Sequence, residues 1–350
     1  MKYVKTAAGA LLLLTVLLTG CSHSQTNPEP MGKAYFTYFD TVSYVYNYAG
    51  GSADEFDARS AEASAILKEY HQLFDIYHEY SGINNLCTVN RLAGGAPVEV
   101  DAKLIEFLLC AQDMYELTKG EMNVMMGAVL RIWHEHRTEA SENPAGASVP
   151  SKEELLAAAE HIDISLLEID ADHCTVRIAD PEASIDVGAL GKGYATEKAA
   201  EYLRADGADG YVLNVGGNIR IIGSKPDGSG WVTGVRDPGN PDENFIIRLN
   251  LKNTACVTSG TYERYYTVDR VRYHHIIDRD SLFPADHFSS ITIVTEDSGL
   301  ADALSTALFC MTYEEGFTLA EQLEDVEVLW VFPDGEVQYT PGLSKYIVNE

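Results

Sequence analysis

The stretch Ser184-Ile-Asp-Val-Gly-Ala-Leu-Gly-Lys-Gly-Tyr194 sets the frame for the chain. Its three glycines fall within six residues, and a helix is expected to follow from about residue 193 to 206. Glycine lets main chain approach a ligand closely, and the free N–H groups at a helix start suit phosphate. Lys192 puts a point charge at the same place. The spacing is neither G-x-G-x-x-G nor a Walker A loop, so it does not indicate a Rossmann or P-loop fold. A plain turn between strand and helix has the same composition. Asp186 ahead of the loop has two uses. It can accept hydrogen bonds from an amide- or amine-bearing ring, or cap the loop's own N–H groups, the commoner fate of such an aspartate.

Outward from this stretch, short β-branched and aromatic runs read as strands at 166–169, 175–178, 211–215, 219–222, 231–235, 245–251, 290–295 and 326–332. A helix is expected at about 301–311. In the N-terminal half, an alternating aromatic run reads as one strand at 35–48. Helical periodicity covers 52–82, 101–118 and 151–161, with Ser151 and Glu154 spaced as a capping box. Runs of strands with helices at irregular intervals predict an α+β fold and not a regular βαβ wind. The Ala-, Gly-, Ser- and Pro-rich residues 139–150 are the expected surface linker between two subdomains.

The first residues read as an address. Lys2 and Lys5 precede an apolar run from Ala7 to Leu18 that is too short to span a bilayer. Leu18-Thr19-Gly20-Cys21 looks like a bacterial lipobox, which makes Cys21 a lipid anchor. Residues 1–20 are then a signal peptide, 21–32 a tether, and 33–350 the globular part.

Without residues 1–20, which carry two lysines and no acidic residue, the formal charge moves from −28 to −30. Such a balance speaks against nucleic acid and against a face lying flat on anionic lipid. An anionic ligand needs a local pocket of donors or an accompanying metal. The cysteines beyond Cys21 are scattered without C-x-x-C spacing, so most are read as buried small hydrophobes and the set as neither a disulfide framework nor a zinc site.

Three further clusters carry candidate chemistry. Asn214-Val-Gly-Gly-Asn218 is a tight turn that either closes a hairpin or lets backbone crowd a ligand. Thr258-Ser-Gly-Thr-Tyr-Glu-Arg264 and Tyr273-His-His-Ile-Ile-Asp278 bring together hydroxyls, an arginine and adjacent histidines; an imidazole is the natural base for a hydroxyl nucleophile. On a strand the two histidines face opposite ways, so one of them serves a given site. In Asp302-Ala-Leu-Ser-Thr306, helical spacing puts a carboxylate and a hydroxyl on one face. That pair suits a hard cation, and equally an N-cap or a solvated face.

In this order, Asp-x-Gly-x-x-x-Lys-Gly-Tyr, Asn-x-Gly-Gly-Asn, Thr-Ser-Gly-x-Tyr-Glu, His-Ile-Ile-Asp and Ala-Asp-Ala-Leu-Ser-Thr resemble the FAD:protein FMN transferases, the ApbE family. The resemblance runs through roughly the whole mature chain. It implies an ApbE-like, T-fold-like α+β architecture of two subdomains, with mostly antiparallel sheets and packed helices. It also implies an enzyme that splits FAD with magnesium, joins FMN to a threonine of an acceptor protein and releases AMP. By the same resemblance Asp302, Thr306 and the backbone oxygen of Ala189 hold the metal. Asp186, Lys192 and the segment around Ile276 contact FAD, and His275 is the base. Many members are lipoproteins facing the periplasm or cell exterior, in keeping with the lipobox. The N-terminal half departs from the pattern: Gly120-Glu-Met-Asn-Val-Met125 stands for Gly-x-Phe-Asp-x-Thr, and Phe39-Asp40-Thr41 for Met-Gly-Thr. Phe39, Met122, Asn123 and Val124 are therefore flavin or adenine contacts by position only, with Tyr77 either a stacking residue or core. Two other functions use similar residues: a magnesium-dependent FAD pyrophosphatase, and a flavin-binding lipoprotein without catalysis.

Overall fold

The computed structural model describes residues 29–240 and 244–348. The signal segment, Cys21 and most of the tether lie outside them. In chain order the elements are β1 (Met31–Tyr38), β2 (Thr41–Asn47), α1 (Ala53–Phe74), α2 (Leu86–Arg91), β3 (Val98–Glu99), α3 (Ala102–Leu117), α4 (Gly127–Glu142) and α5 (Lys152–Ala158). Then come β4 (Leu167–Asp170), β5 (Thr175–Ile178), α6 (Gly191–Ala205), β6 (Tyr211–Val215), β7 (Asn218–Ile222), β8 (Trp231–Arg236), β9 (Phe245–Leu251) and β10 (Ala255–Gly260). The last are β11 (Tyr265–Val268), β12 (Val271–His274), β13 (Ser290–Thr295), α7 (Ser298–Cys310), α8 (Tyr313–Gln322), β14 (Glu327–Val331) and β15 (Val337–Tyr339).

The main sheet has the order β1-β2-β6-β7-β10-β13-β14-β15, every neighbour antiparallel. Strand β13 shows why its sequence is apolar throughout. Ile291 and Ile293 join the core under α7, whereas Val294 joins the core on the other face with Trp231 and Leu249 of the β8–β9 hairpin. Helices α6 and α7 pack side by side on the sheet, and α1 lies beside α6. The α+β architecture read from the sequence is the observed one.

Capping residues set several helix starts. Ser52, Asp101, Ser151 and Asp297 each accept from main-chain N–H groups of the first turn. The expected strand at 35–48 is instead the hairpin β1–β2, turned at Phe39 and Asp40, both with positive φ. Aspartate tolerates that conformation; phenylalanine does so rarely. Strand β1 starts at Met31, inside the stretch read as tether, because Met31 pairs with Asn47. Helix α1 stops at Phe74, eight residues short of the expected end, where Asp75 turns extended. Helix α4, unread in the sequence, runs into the expected linker as far as Glu142, and Pro144–Gly146 follows as a 3₁₀ turn.

Candidate functional site

The segment ahead of α6 is pinned from two sides. The Asn90 side chain holds both main-chain groups of Ile185, at 2.7 and 2.9 Å. The Asp186 N–H donates to the Val124 carbonyl at 2.8 Å, which lays residues 184–186 along the approach to α4. The Asp186 carboxylate accepts from the Gly188 N–H at 2.8 Å, so it does cap its own loop. Burial raises its pKa, against the pull of that N–H and of His134, Arg137 and Arg264.

The three glycines divide their work. A Cβ on Gly193 would sit 2.3 Å from the Ser298 carbonyl oxygen and 2.4 Å from the Asp302 Cβ, so this glycine lets α6 and α7 touch. One on Gly191 would meet the Phe74 ring at 3.2 Å. Only Gly188 is exposed. Two of the three thus serve helix packing, where the sequence reading offered ligand approach or a plain turn.

Asp302 is buried at the α6–α7 contact. Its Oδ2 accepts from the Gly193 N–H at 2.8 Å and stands 3.7 Å from the Lys192 ammonium, which also donates to the Gly188 carbonyl at 3.3 Å. Burial raises the Asp302 pKa, opposed by Lys192, the Gly193 N–H and the Asn218 side chain. Asn218 follows the two-residue turn Gly216-Gly217, both at positive φ, so the hairpin reading of that motif holds. Its Oδ1 is buried with no hydrogen-bond partner. The Ser305 hydroxyl donates to the Asp302 carbonyl at 2.9 Å and meets the Ser259 hydroxyl at 2.8 Å. Thr306, half-buried, makes no such back-bond among the described residues. No three His, Cys, Asp or Glu side chains converge among the described residues. What Asp302 offers is one desolvated carboxylate, with the orphaned amide oxygen of Asn218 beside it and the Thr306 hydroxyl one helical turn on. That chemistry fits a hard divalent cation.

The two histidines part as strand alternation demands. His274, at the end of β12, is buried. Its Nε2 bonds the Ala285 carbonyl at 2.8 Å, and its ring meets Phe309 edge-on at 5.8 Å. His275 lies just past the strand, half-buried, with an Nδ1 that has no hydrogen-bond partner. Burial first, then the charges of Arg264, Lys192 and Arg137, push its pKa down to about 3. The ring is therefore neutral well into the acidic range.

Opposite Asp186 stands a wall that sequence reading missed. His134 and Arg137 sit three residues apart on α4, with the Arg137 guanidinium donating to His134 Nδ1 at 2.8 Å. The Tyr77 ring, 55% exposed, lies 5.4 Å from the His134 ring at 32°. Asp75 holds the Tyr77 loop by accepting from the Tyr77 and His78 N–H groups. Tyr77 is thus a surface aromatic and not core. The signal for this wall was the i, i+3 pair on a helix whose apolar face (Val129, Ile132, Trp133) was not recognised.

Lys192 stands 3.7 Å from Asp302 and its charge acts on His275, and the Asp186 charge acts on Tyr77. The other expected contacts are placed differently. Phe39 is in the β1–β2 turn against His71 at 5.5 Å. Met122 and Val124 are buried in the core, with only the Val124 carbonyl reaching Asp186. Asn123 folds its own turn, accepting from the Met125 N–H and donating to the Ile162 carbonyl. Ile276 is core, its N–H bonded to His274 Nδ1 and its carbonyl to the Ala285 N–H.

Residues 38–330 match the family model described as ApbE family. The chain is 30% identical over 318 residues to the FAD:protein FMN transferase of Treponema pallidum, covering 87% of this chain and 85% of that one. It is 27% identical over 338 residues to the FAD:protein FMN transferase of Vibrio cholerae, covering 96% and 97%. Among solved structures, the ApbE protein of Thermotoga maritima superposes with a TM-score of 0.79 at 28% identity, over 92% of this chain and all of that one. The flavin transferase ApbE of Vibrio cholerae shares the fold, with a TM-score of 0.75 at 23% identity, over 91% of this chain and 99% of that one. A match of this extent, over a sheet and helix pair that bring the five motifs together, makes the chain a member of the ApbE family.

Proposed function

We propose that this chain is an FAD:protein FMN transferase, which moves FMN from FAD onto a threonine of an acceptor protein with magnesium and releases AMP. The observation that carries the reading is the pairing of a neutral, half-buried His275 with the Lys192–Asp302 pair in one site. Family membership and the relatives' activity point the same way.

In this reading the threonine Oγ forms a bond to the FMN phosphorus and the pyrophosphate P–O bond breaks, with AMP leaving. His275, whose Nδ1 has no partner within the protein, takes the hydroxyl proton as the bond forms, its basicity raised toward the working pH by the charge of the bound pyrophosphate. Lys192 steadies phosphate charge and ties the Gly188 turn to α7. Asp302, Thr306 and the Ala189 oxygen would hold the magnesium. When bound, the ion neutralises pyrophosphate charge that an acidic protein otherwise repels. Asp186 reaches the flavin, and Tyr77 offers it or the adenine an aromatic face.

The same base acting on water would make FMN and AMP without transfer. Incubation with FAD and magnesium, with and without an acceptor domain, separates the two. AMP that appears with covalent flavin on the acceptor supports transfer. AMP at the same rate without an acceptor indicates hydrolysis, and no AMP indicates binding alone. The lipobox supports a lipid anchor at Cys21 that holds the enzyme on the cell membrane, facing periplasm or exterior. Its partner there is the flavin-accepting protein.

A further inference from the structure

We propose that the buried Glu197–Arg220 ion pair positions the Asp302 cation site, by holding α7 and β7 on α6 in the one register that presents the carboxylate. The proposal rests on the reading of Asp302 as a magnesium ligand and gives a role to two residues that the reading leaves unused.

Glu197 lies on α6 and Arg220 on β7, and both are buried. Oε2 of Glu197 accepts from Arg220 Nε at 2.8 Å and from the Ser298 N–H at 2.9 Å. Its other oxygen accepts from Arg204 at 2.7 Å, so the carboxylate is held at both ends. Ser298 is the first residue of α7, and Asp297 caps the next two N–H groups. Asp297 acts within its own segment, whereas Glu197 fastens that end of α7 to a different helix.

This bond is one of two rungs. Gly193 and Glu197 are one turn apart on α6, as are Ser298 and Asp302 on α7. The Gly193 N–H donates to Asp302, and the Ser298 N–H donates to Glu197, so the pairing runs oppositely along two antiparallel helices. A single hydrogen bond is a pivot; two, one turn apart, fix both the slide and the rotation of α7. Strand β7 keeps the same step. Asn218 and Arg220 share one of its faces, with Arg220 on Glu197 and the Asn218 side chain acting on Asp302. Each rung therefore has a member on α6, α7 and β7. Four residues further along each chain stand Ala189 and Thr306, the other two groups proposed for the cation.

Stability alone is a poor reason for such a pair. Desolvating two charges offsets most of their attraction, and apolar side chains of similar volume often hold a core as well. Arg220 Nη2 even lacks a hydrogen-bond partner, which adds to the cost. What apolar side chains lack is direction. A carboxylate that must meet a guanidinium and the first N–H of a helix together has one placement.

The test is Mn²⁺ binding, followed by the EPR signal of the free ion. It compares the parent with Asp302→Ala, Glu197→Met/Arg220→Met and Glu197→Gln/Arg220→Met, each checked for cooperative melting. Both double variants remove the two charges together and leave no buried ion unpaired, so they are expected to fold. Glu197→Met/Arg220→Met should weaken Mn²⁺ by about 10- to 100-fold although neither residue touches the ion. Glu197→Gln/Arg220→Met keeps an acceptor for the Ser298 N–H and should fall between that variant and the parent. Added to Asp302→Ala, the Met pair should weaken Mn²⁺ no further, because it acts through the carboxylate. Parent affinity in the folded double variants, beside an Asp302→Ala protein that has lost it, would overturn the positioning role and leave the metal reading intact. Equal Mn²⁺ binding by parent and Asp302→Ala would instead remove the metal assignment, and the positioning role with it.

Discussion

The Gly193 N–H donates to the Asp302 carboxylate at 2.8 Å across the contact of α6 and α7, so the glycine loop and the acidic helix are joined at one hydrogen bond. That bond exists because Gly193 has no side chain to keep the helices apart. Gly193→Ala must push Cβ against the Ser298 main chain and is expected to cost about 1–3 kcal/mol of stability. It should also lower activity beyond the stability loss, since the Asp302 carboxylate shifts with α7. Urea unfolding alongside turnover at low temperature checks both; parent-like values in each would mean the helices are not in contact here.

How much of this was legible in the sequence depends on how local the signal was. Strands β5, β6, β9 and β13 could be read to the residue because β-branched runs end at turn residues. Asp302 and Lys192 were legible as chemistry because each stands in a dense motif. The Phe39-Asp40 turn was not, since it demands positive φ from a phenylalanine and lacks glycine. Nor was the His134–Arg137 wall, whose meaning comes from Asp186 and Arg264, far away in the chain. The roles of Gly191 and Gly193 were misread for the same reason: what a glycine admits, helix or ligand, is a tertiary fact.

The two adjacent histidines should separate cleanly by mutation. His275→Ala is expected to lose transfer by about 10²–10⁴-fold with FAD affinity near that of the parent. His274→Ala orphans the Ala285 carbonyl and empties a packed position beside Phe309, so it should cost stability, about 1–3 kcal/mol, while the folded fraction retains most of its rate. Transfer rates normalised to folded protein check this. Small and equal losses in both variants would remove His275 as base.

The pH dependence follows from what lowers the His275 pKa. The kcat/KM profile reports free enzyme, in which burial and three cations keep the ring neutral down to about pH 3. No loss of kcat/KM from this group is therefore expected between pH 8 and pH 5. Bound pyrophosphate offsets the cationic charges and favours the protonated ring, so the acid-side break in kcat should lie at higher pH than that in kcat/KM. A break near pH 6.5 in kcat/KM that disappears in His275→Ala would contradict this environment.

Anchoring is open to a simple fractionation. Lipid chains at Cys21 would contribute about 0.8 kcal/mol per buried CH₂, so the mature protein should sediment with membranes. Cys21→Ser should release it or leave the signal segment uncleaved. A cleaved Cys21→Ser protein still firmly on the membrane would exclude the lipobox as the anchor.

The most direct test of the central claim is AMP release from FAD by the parent protein and by Asp302→Ala, with acceptor domain and saturating magnesium, beside FAD affinity for each. The carboxylate is proposed to serve the metal and the phosphate end, and Asp186 and Tyr77 the rings. Asp302→Ala should therefore still bind FAD while AMP release and covalent flavin on the acceptor both fall to background. AMP release from Asp302→Ala at the parent rate would contradict the account.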